Sequence, residues 1–174
     1  MVRVLFAIAA AVLASASAAA ADKYKLDGEN TKIEFTGTKK DGKHTGGFKK
    51  VTGEVTDDGG WKIDVTIDTT SLHSDNAMLT NHLKAGDFFG VKDHPTAKFV
   101  STKIEKGDKG HTVTGKFTLL GKEKEISFPA EIKAGDTFEL KAEFKIDRTD
   151  YGMTYGEGKV DKEVAIKVEV KAKK

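Results

Sequence analysis

Apolar residues fall on every second position through most of this chain. Ile33 and Phe35 alternate with Lys32, Glu34 and Thr36, and Trp61, Ile63, Val65 and Ile67 alternate with Lys62, Asp64, Thr66 and Asp68. Ala97 and Phe99, then Val113, Gly115, Phe117 and Leu119, keep to odd positions. Ile126 to Ile132, Phe138 to Ile146 and Val164 to Val170 keep to even ones. Side chains in an extended strand point alternately to its two faces, so a period of two gives each strand one wet and one dry face, as in antiparallel sheets. Lys39 to Lys43, Gly107 with Gly110, Gly121, Gly135-Asp136 and Gly156 to Gly158 mark turns. His44 to Gly53 reads as one return strand with a weak point at Gly46-Gly47.

One stretch, Thr69 to Pro95, departs from this rhythm. Met78, Leu79, His82, Leu83 and Ala85 share one face of a helix, which the spacing confines to Ser74 to Gly86. Ser74 or Asp75 offers an N-cap, Gly86 a left-handed end, and Asp87 a second cap before Phe88-Phe89. A short amphipathic helix followed by two phenylalanines predicts a plug or lid. About eight meandering strands must stack or close to remove their edges. The expectation is therefore an all-β, single-domain, antiparallel eight-stranded barrel over residues 22–174, with one amphipathic helix at a barrel end. Such an interior is either filled by side chains or holds one small ligand. Small inward residues (Ala97, Gly115, Ala130, Ala142) favour a cavity, although they equally balance the ten phenylalanines.

The N-terminus changes the picture of location. Met1 to Arg3 is a short positive start, Val4 to Leu13 an apolar run too short to favour a membrane span, and Ala19-Ala20-Ala21 an A-x-A cleavage signal. We expect residues 1–21 to be a signal peptide and the mature chain to be periplasmic or secreted, with no stable membrane insertion after cleavage. No cysteine is present, so neither disulfides nor acylation at a cleavage-site cysteine is available. Losing Arg3 from 29 basic side chains leaves 28 against 27 acidic ones, interspersed in sign. A nucleic-acid binder would carry a single-sign patch, and none is present.

Candidate chemistry is sparse. His73, His82 and His94 share one excursion, but their spacing matches no metal motif, and no metal or cofactor is expected. No G-x-S-x-G elbow frames Ser71, Ser74, Ser101 or Ser127, and the expectation is that the chain is not an enzyme. Arg148, within Ile146-Asp-Arg-Thr-Asp-Tyr-Gly152, has two readings. Its fork of donors suits a phosphate or quinone-type head group; alternatively it pairs with Asp147 or Asp150 to fasten a barrel end, which we favour because a strand-end ion pair needs no ligand.

Several stretches together resemble the YceI-like family of polyisoprenoid-binding, lipocalin-like barrels. They are Gly42-Lys-His-Thr-Gly-Gly-Phe48, Thr69-Thr-Ser71, Leu79-Thr-Asn-His-Leu83, Asp87-Phe-Phe89, Val113 to Leu119, Ser127-Phe-Pro129 and Ile146 to Gly152. Leu79-Thr80 stands where many such sequences carry an Arg-Asp pair. The resemblance implies noncovalent binding, and carriage or sequestration, of a long-chain isoprenoid or similar amphiphilic lipid. A ligand-free filled barrel acting as an interaction or stress-protective protein is the alternative, and a homodimer is left open. The tail would lie along Phe35, Phe48, Trp61, Val65, Phe99, Phe117, Phe128 and Phe144. Phe88-Phe89 and the Met78, Leu79 and Leu83 face of the helix would act as core and gate, and Arg148 would sit near the head group.

Overall fold

The computed structural model describes residues 21–174, so residues 1–20 of the expected leader lie outside the described residues. Eleven strands form one antiparallel sheet: β1 (Asp22–Asp27), β2 (Thr31–Lys39), β3 (Gly42–Phe48), β4 (Val51–Asp57), β5 (Trp61–Asp68), β6 (Leu72–Ser74), β7 (Thr96–Gly107), β8 (Gly110–Leu119), β9 (Lys122–Lys133), β10 (Thr137–Asp147) and β11 (Val160–Lys173). One helix, α1 (Ala77–Lys84), and two 3-10 turns, Thr69–Ser71 and Arg148–Tyr151, complete the described chain. The strands run across the sheet in the order β1-β4-β5-β7-β8-β9-β10-β11-β2-β3-β6. The hydrogen-bond ladder is open, with β1 and β6 at its edges, and the sheet curls into a half-barrel.

The curl follows from two short links. β1 and β2 stand eight places apart in the order, yet only Gly28 to Asn30 join them. Laid flat, eight strand spacings would span about 38 Å, whereas the four Cα–Cα steps from Asp27 to Thr31 reach at most about 15 Å. β3 and β4, also eight places apart, are joined by Lys49-Lys50 alone. The two links meet, since a Cβ at Gly28 would run into the Lys49 carbonyl oxygen. Beside them the Lys171 N–H donates to the Asn30 carbonyl at 2.8 Å, tying the β1–β2 link to β11.

The expected count of eight strands is corrected to eleven. His44 to Gly53 is not one strand: the chain turns at Lys49-Lys50, and β3 and β4 pair with different neighbours. β1 carries only Tyr24 and Leu26 on its dry face, too short a pattern to stand out, and β6 has three residues. In β7 a bulge between Ser101 and Lys103 shifts the phase by one. Ala97 and Phe99 face inward on odd positions, and beyond the bulge Ile104 packs inward on an even one.

The helix lies where its period places it, but its ends differ from expectation. Asn76, rather than Ser74 or Asp75, is the N-cap, its side chain accepting the Leu79 N–H at 3.1 Å. Ser74 instead receives α1: its N–H donates to Thr80 Oγ1 at 2.9 Å. The helix ends at Ala85 in extended backbone, and the left-handed residue is Gly90 (φ 47°), not Gly86. Asp87 begins no second helix. Met78 does not share the buried face with Leu83, because so short a helix covers only a narrow stripe.

Gly28→Ala is expected to destabilise the protein by about 1–3 kcal/mol, since the obstructing atom is backbone and cannot swing aside. Gly86→Ala, with open space around it and no left-handed φ, should stay within about 0.5 kcal/mol of the parent. Denaturant midpoints of the two variants check both.

Candidate functional site

The dry face of the sheet encloses a cavity of about 340 Å³, to which every strand except β6 contributes lining residues. Its floor is aromatic. Tyr24, Trp61 and Phe138 pack with centroids 5.2–6.1 Å apart, and the Tyr24 hydroxyl donates to the Gly135 carbonyl. One wall carries the stacked pair Phe128 and Phe144, 4.2 Å apart at 9°, with Phe99 tilted against Phe128. Gly115 makes room for that ring: a Cβ there would lie 2.6 Å from Phe99 Cζ.

Of the residues singled out from sequence, Phe35, Phe48, Val65, Phe99, Phe117, Phe128 and Phe144 line this space. Leu79, Leu83 and Phe88 stand at its mouth, and Arg148 borders it. Trp61 is the exception. It opens β5 beside the β4–β5 turn, behind Phe138, so it supports the floor without lining the cavity. Ala130 and Ala142 are core residues outside the lining. Phe35, Phe48, Phe99, Phe117 and Phe144 point inward yet are only half-buried, because the surface they leave free faces the void. The interior is therefore not filled by its own side chains.

The mouth separates the two adjacent phenylalanines. Phe89 packs inward against Phe35 and Phe48 at 5.9 and 5.7 Å. Phe88 instead meets His82 edge-on at 5.1 Å, and both touch Tyr155. Phe89, read from the sequence with Phe88 as part of the plug, lines the cavity, as does Tyr155, which the sequence reading did not single out. Which of two neighbouring rings turns inward depends on the Ala85–Gly90 turn, and Tyr155 sits in a glycine-rich loop with no period to read. Ile146 was also passed over, although its even position in β10 marked it as inward.

The histidines are dispersed. His44 lies 3.2 Å from Asp75, and His82 lies 3.7 Å from Asp87. Among the described residues no group of three or more metal-type ligands forms.

Arg148 is 3% exposed and makes no ion pair with Asp147 or Asp150. Its Nε donates to the Asp161 carbonyl at 2.9 Å, Nη2 to Val160 at 3.1 Å, and Nη1 to Met153. The expected aspartate partners are replaced by three backbone carbonyls, through which the guanidinium ties down the loop that carries Tyr155. Carboxylate spacing in the sequence could not reveal this, because backbone acceptors leave no residue-type signature.

The YceI-like domain model matches residues 24–172, which is nearly all of the curled sheet. The chain belongs to the YceI-like family. A UPF0312 protein of Serratia proteamaculans is 34% identical, with 98% of this chain and 97% of that protein aligned. Protein YceI of an Escherichia coli strain is 30% identical over 92% of each. Among solved structures, BcnA of Burkholderia cenocepacia superposes with a TM-score of 0.74 at 27% identity, covering 82% of this chain and 96% of that one. A polyisoprenoid binding domain from Saccharophagus degradans shares the fold with a TM-score of 0.70 at 12% identity, over 87% and 97%.

In this YceI-like chain the rim of the cavity is held by two turns of the same design. Asp68-Thr-Thr70 follows β5 and Asp147-Arg-Thr149 follows β10. In each, the aspartate accepts the threonine's hydroxyl and backbone N–H. The middle residue is buried and ties down a distant segment. Thr69 donates its hydroxyl to the His94 carbonyl at 2.6 Å and its N–H to Pro95, and Arg148 holds Met153, Val160 and Asp161. The repeated Asp-x-Thr at a strand end marks the two turns in the sequence, though not the carbonyls that their middle residues hold. The Thr149 hydroxyl and then its N–H hold the Asp147 carboxyl below the usual aspartate range, and Thr70 does the same for Asp68. Burial, and then the charge of Asp150, pushes the Tyr151 phenol up to about 12.

Arg148→Met should destabilise the ligand-free protein by about 3 kcal/mol or more, because buried carbonyls lose their donors. Arg148→Lys should recover only part, since one ammonium cannot reproduce the guanidinium fork. An unmoved denaturation midpoint would instead assign Arg148 wholly to ligand contact. On the acid side, a depressed carboxyl contributes stability that is complete above the ordinary aspartate value of about 3.8 and is lost as pH falls through the lower folded value. Asp147→Asn should accordingly flatten the acid limb of a stability-versus-pH curve below about pH 4.

Proposed function

We propose that this protein binds one lipid with a long apolar tail, noncovalently, in the interior of the curled sheet, and carries or sequesters it. The single observation that carries this reading is the aromatic-walled cavity of about 340 Å³, within the size range of ligand pockets. Among the described residues the one buried cation, Arg148, borders this space and is already engaged by three carbonyls. Such a space offers a ligand burial rather than chemistry, so binding and not catalysis is the function it supports. At about 0.8 kcal/mol per buried CH₂, a 20-carbon tail gains roughly 16 kcal/mol gross. This exceeds or roughly balances association costs of about 4–15 kcal/mol. A head group then needs only a few hydrogen bonds, and the mouth supplies Lys39, His44, His82 and Tyr155 for them. The Saccharophagus degradans domain described as polyisoprenoid binding has the same fold, which supports an isoprenoid-type chain as the class to test first. With the leader read from the sequence, we place this carriage outside the cytoplasm.

Protein purified without detergent should show, in native mass spectra, an apolar mass of up to one per chain that is extractable into organic solvent. Phe144→Arg should abolish that adduct while far-UV circular dichroism stays unchanged, because an unpaired charge in the channel costs far more than one lost contact. Bare mass alone, together with failure to take up an apolar fluorophore such as diphenylhexatriene, would overturn the reading.

A further inference from the structure

Met78 at 83% and Tyr155 at 47% are the large hydrophobic side chains left exposed among the described residues. Both stand on the rim of one opening, since Tyr155 lines the cavity mouth and Met78 adjoins Leu79, which also lines it. The tip of the β2–β3 hairpin borders the same opening. It carries Lys39, Lys40 and Lys43 against the single Asp41, and Lys39 lines the mouth. Several lysines on the walls are paired, among them Lys98 with Asp64, Lys116 with Glu123 and Lys145 with Glu163. Among the described residues, no carboxylate lies within 4.0 Å of the three hairpin lysines. Asp75 fastens this hairpin to the start of α1: it lies 3.2 Å from His44 Nδ1 and accepts the Thr45 N–H at 3.1 Å, and its own N–H donates to the Thr45 carbonyl. Unpaired cations and an exposed methionine are thus held beside each other around the cavity entrance.

We propose that this rim is a docking surface for an anionic phospholipid bilayer, which seats the open mouth on the leaflet that supplies or receives the lipid. The inference rests on the lipid-binding reading and extends it to the partner. An apolar side chain inserted at headgroup depth with lysines around it is the arrangement by which peripheral elements hold to anionic membranes. A long-tailed lipid also has negligible solubility in water, so a carrier that released it there would leave the tail exposed. Insertion of Met78 beside the mouth would let the tail pass without crossing water.

The test is flotation with phosphatidylglycerol-rich vesicles, run beside diphenylhexatriene uptake without vesicles. The wild-type chain should float, and added salt or pure phosphatidylcholine vesicles should release it. Met78→Ser should weaken vesicle partitioning about tenfold, the loss expected from one buried methionine side chain. Lys40→Gln with Lys43→Gln should weaken it on anionic vesicles only. None of these residues lines the cavity, so all variants should retain fluorophore uptake. Wild-type protein that takes up fluorophore but does not float overturns the docking proposal alone; protein that floats but takes up none overturns the lipid-cavity reading alone. Sedimentation showing a dimer that Met78→Ser breaks would assign the rim to a second copy and likewise overturn the proposal.

Discussion

Everything in this fold depends on two links too short for a flat sheet. Gly28 to Asn30 and Lys49-Lys50 each join strands eight places apart in the ladder, and the links touch at Gly28 and Lys49. An extended chain cannot reach further, so the sheet must wrap until its two sides meet. The dry faces that alternation builds into each strand are thereby turned toward one another. They cannot slide apart without unravelling β1 or β3. The cavity is what remains because the curl sets a diameter that the inward side chains do not wholly fill.

The two ends of that space are treated differently. At the floor Tyr24, Trp61 and Phe138 interlock, and Tyr24 and Phe138 are almost wholly buried, so no void remains there. At the mouth the closing elements are loops and a helix of eight residues, which have little core of their own. They are held by polar anchors instead. Thr69 secures the segment after α1 and Arg148 the loop carrying Tyr155, each from the middle of an aspartate-capped turn. A buried guanidinium is tolerated because three carbonyls replace its water, and removing it would leave them unpaired. Polar anchoring at one end and apolar packing at the other are consistent with the proposed lipid binding, which needs a fixed floor and an accessible rim.

Some lysines and glutamates on the wet face pair, across strands as Lys116 with Glu123 or along one strand as Lys167 with Glu169, and these exposed pairs contribute solubility more than stability. The hairpin tip gathers Lys39, Lys40 and Lys43 against the single Asp41, and it does so at the opening. A surface that is neutral in sum can still present one cationic, partly apolar patch, and this one coincides with the entrance.

The sequence by itself determined the strand periods, and with them which side chains are dry. Phe35, Phe99, Phe117, Phe128 and Phe144 were legible as interior from their parity alone, since side-chain direction in a strand is a local property. The helix was legible from its change of period and Leu83 from its place on it. Trp61 has the same parity as Val65, yet it lies behind Phe138. Parity gives the face and not the depth, and depth depends on where the curled sheet places its floor. The number of strands also escaped a local reading, because the break at Lys49-Lys50 shows only in the partners that β3 and β4 take. Arg148 stood out as a charge, but its partners are carbonyls of a loop several residues downstream, set by how that loop folds back. Only the tertiary structure decided that the interior stays open, because a void is the difference between a diameter fixed by chain connectivity and a volume fixed by side chains.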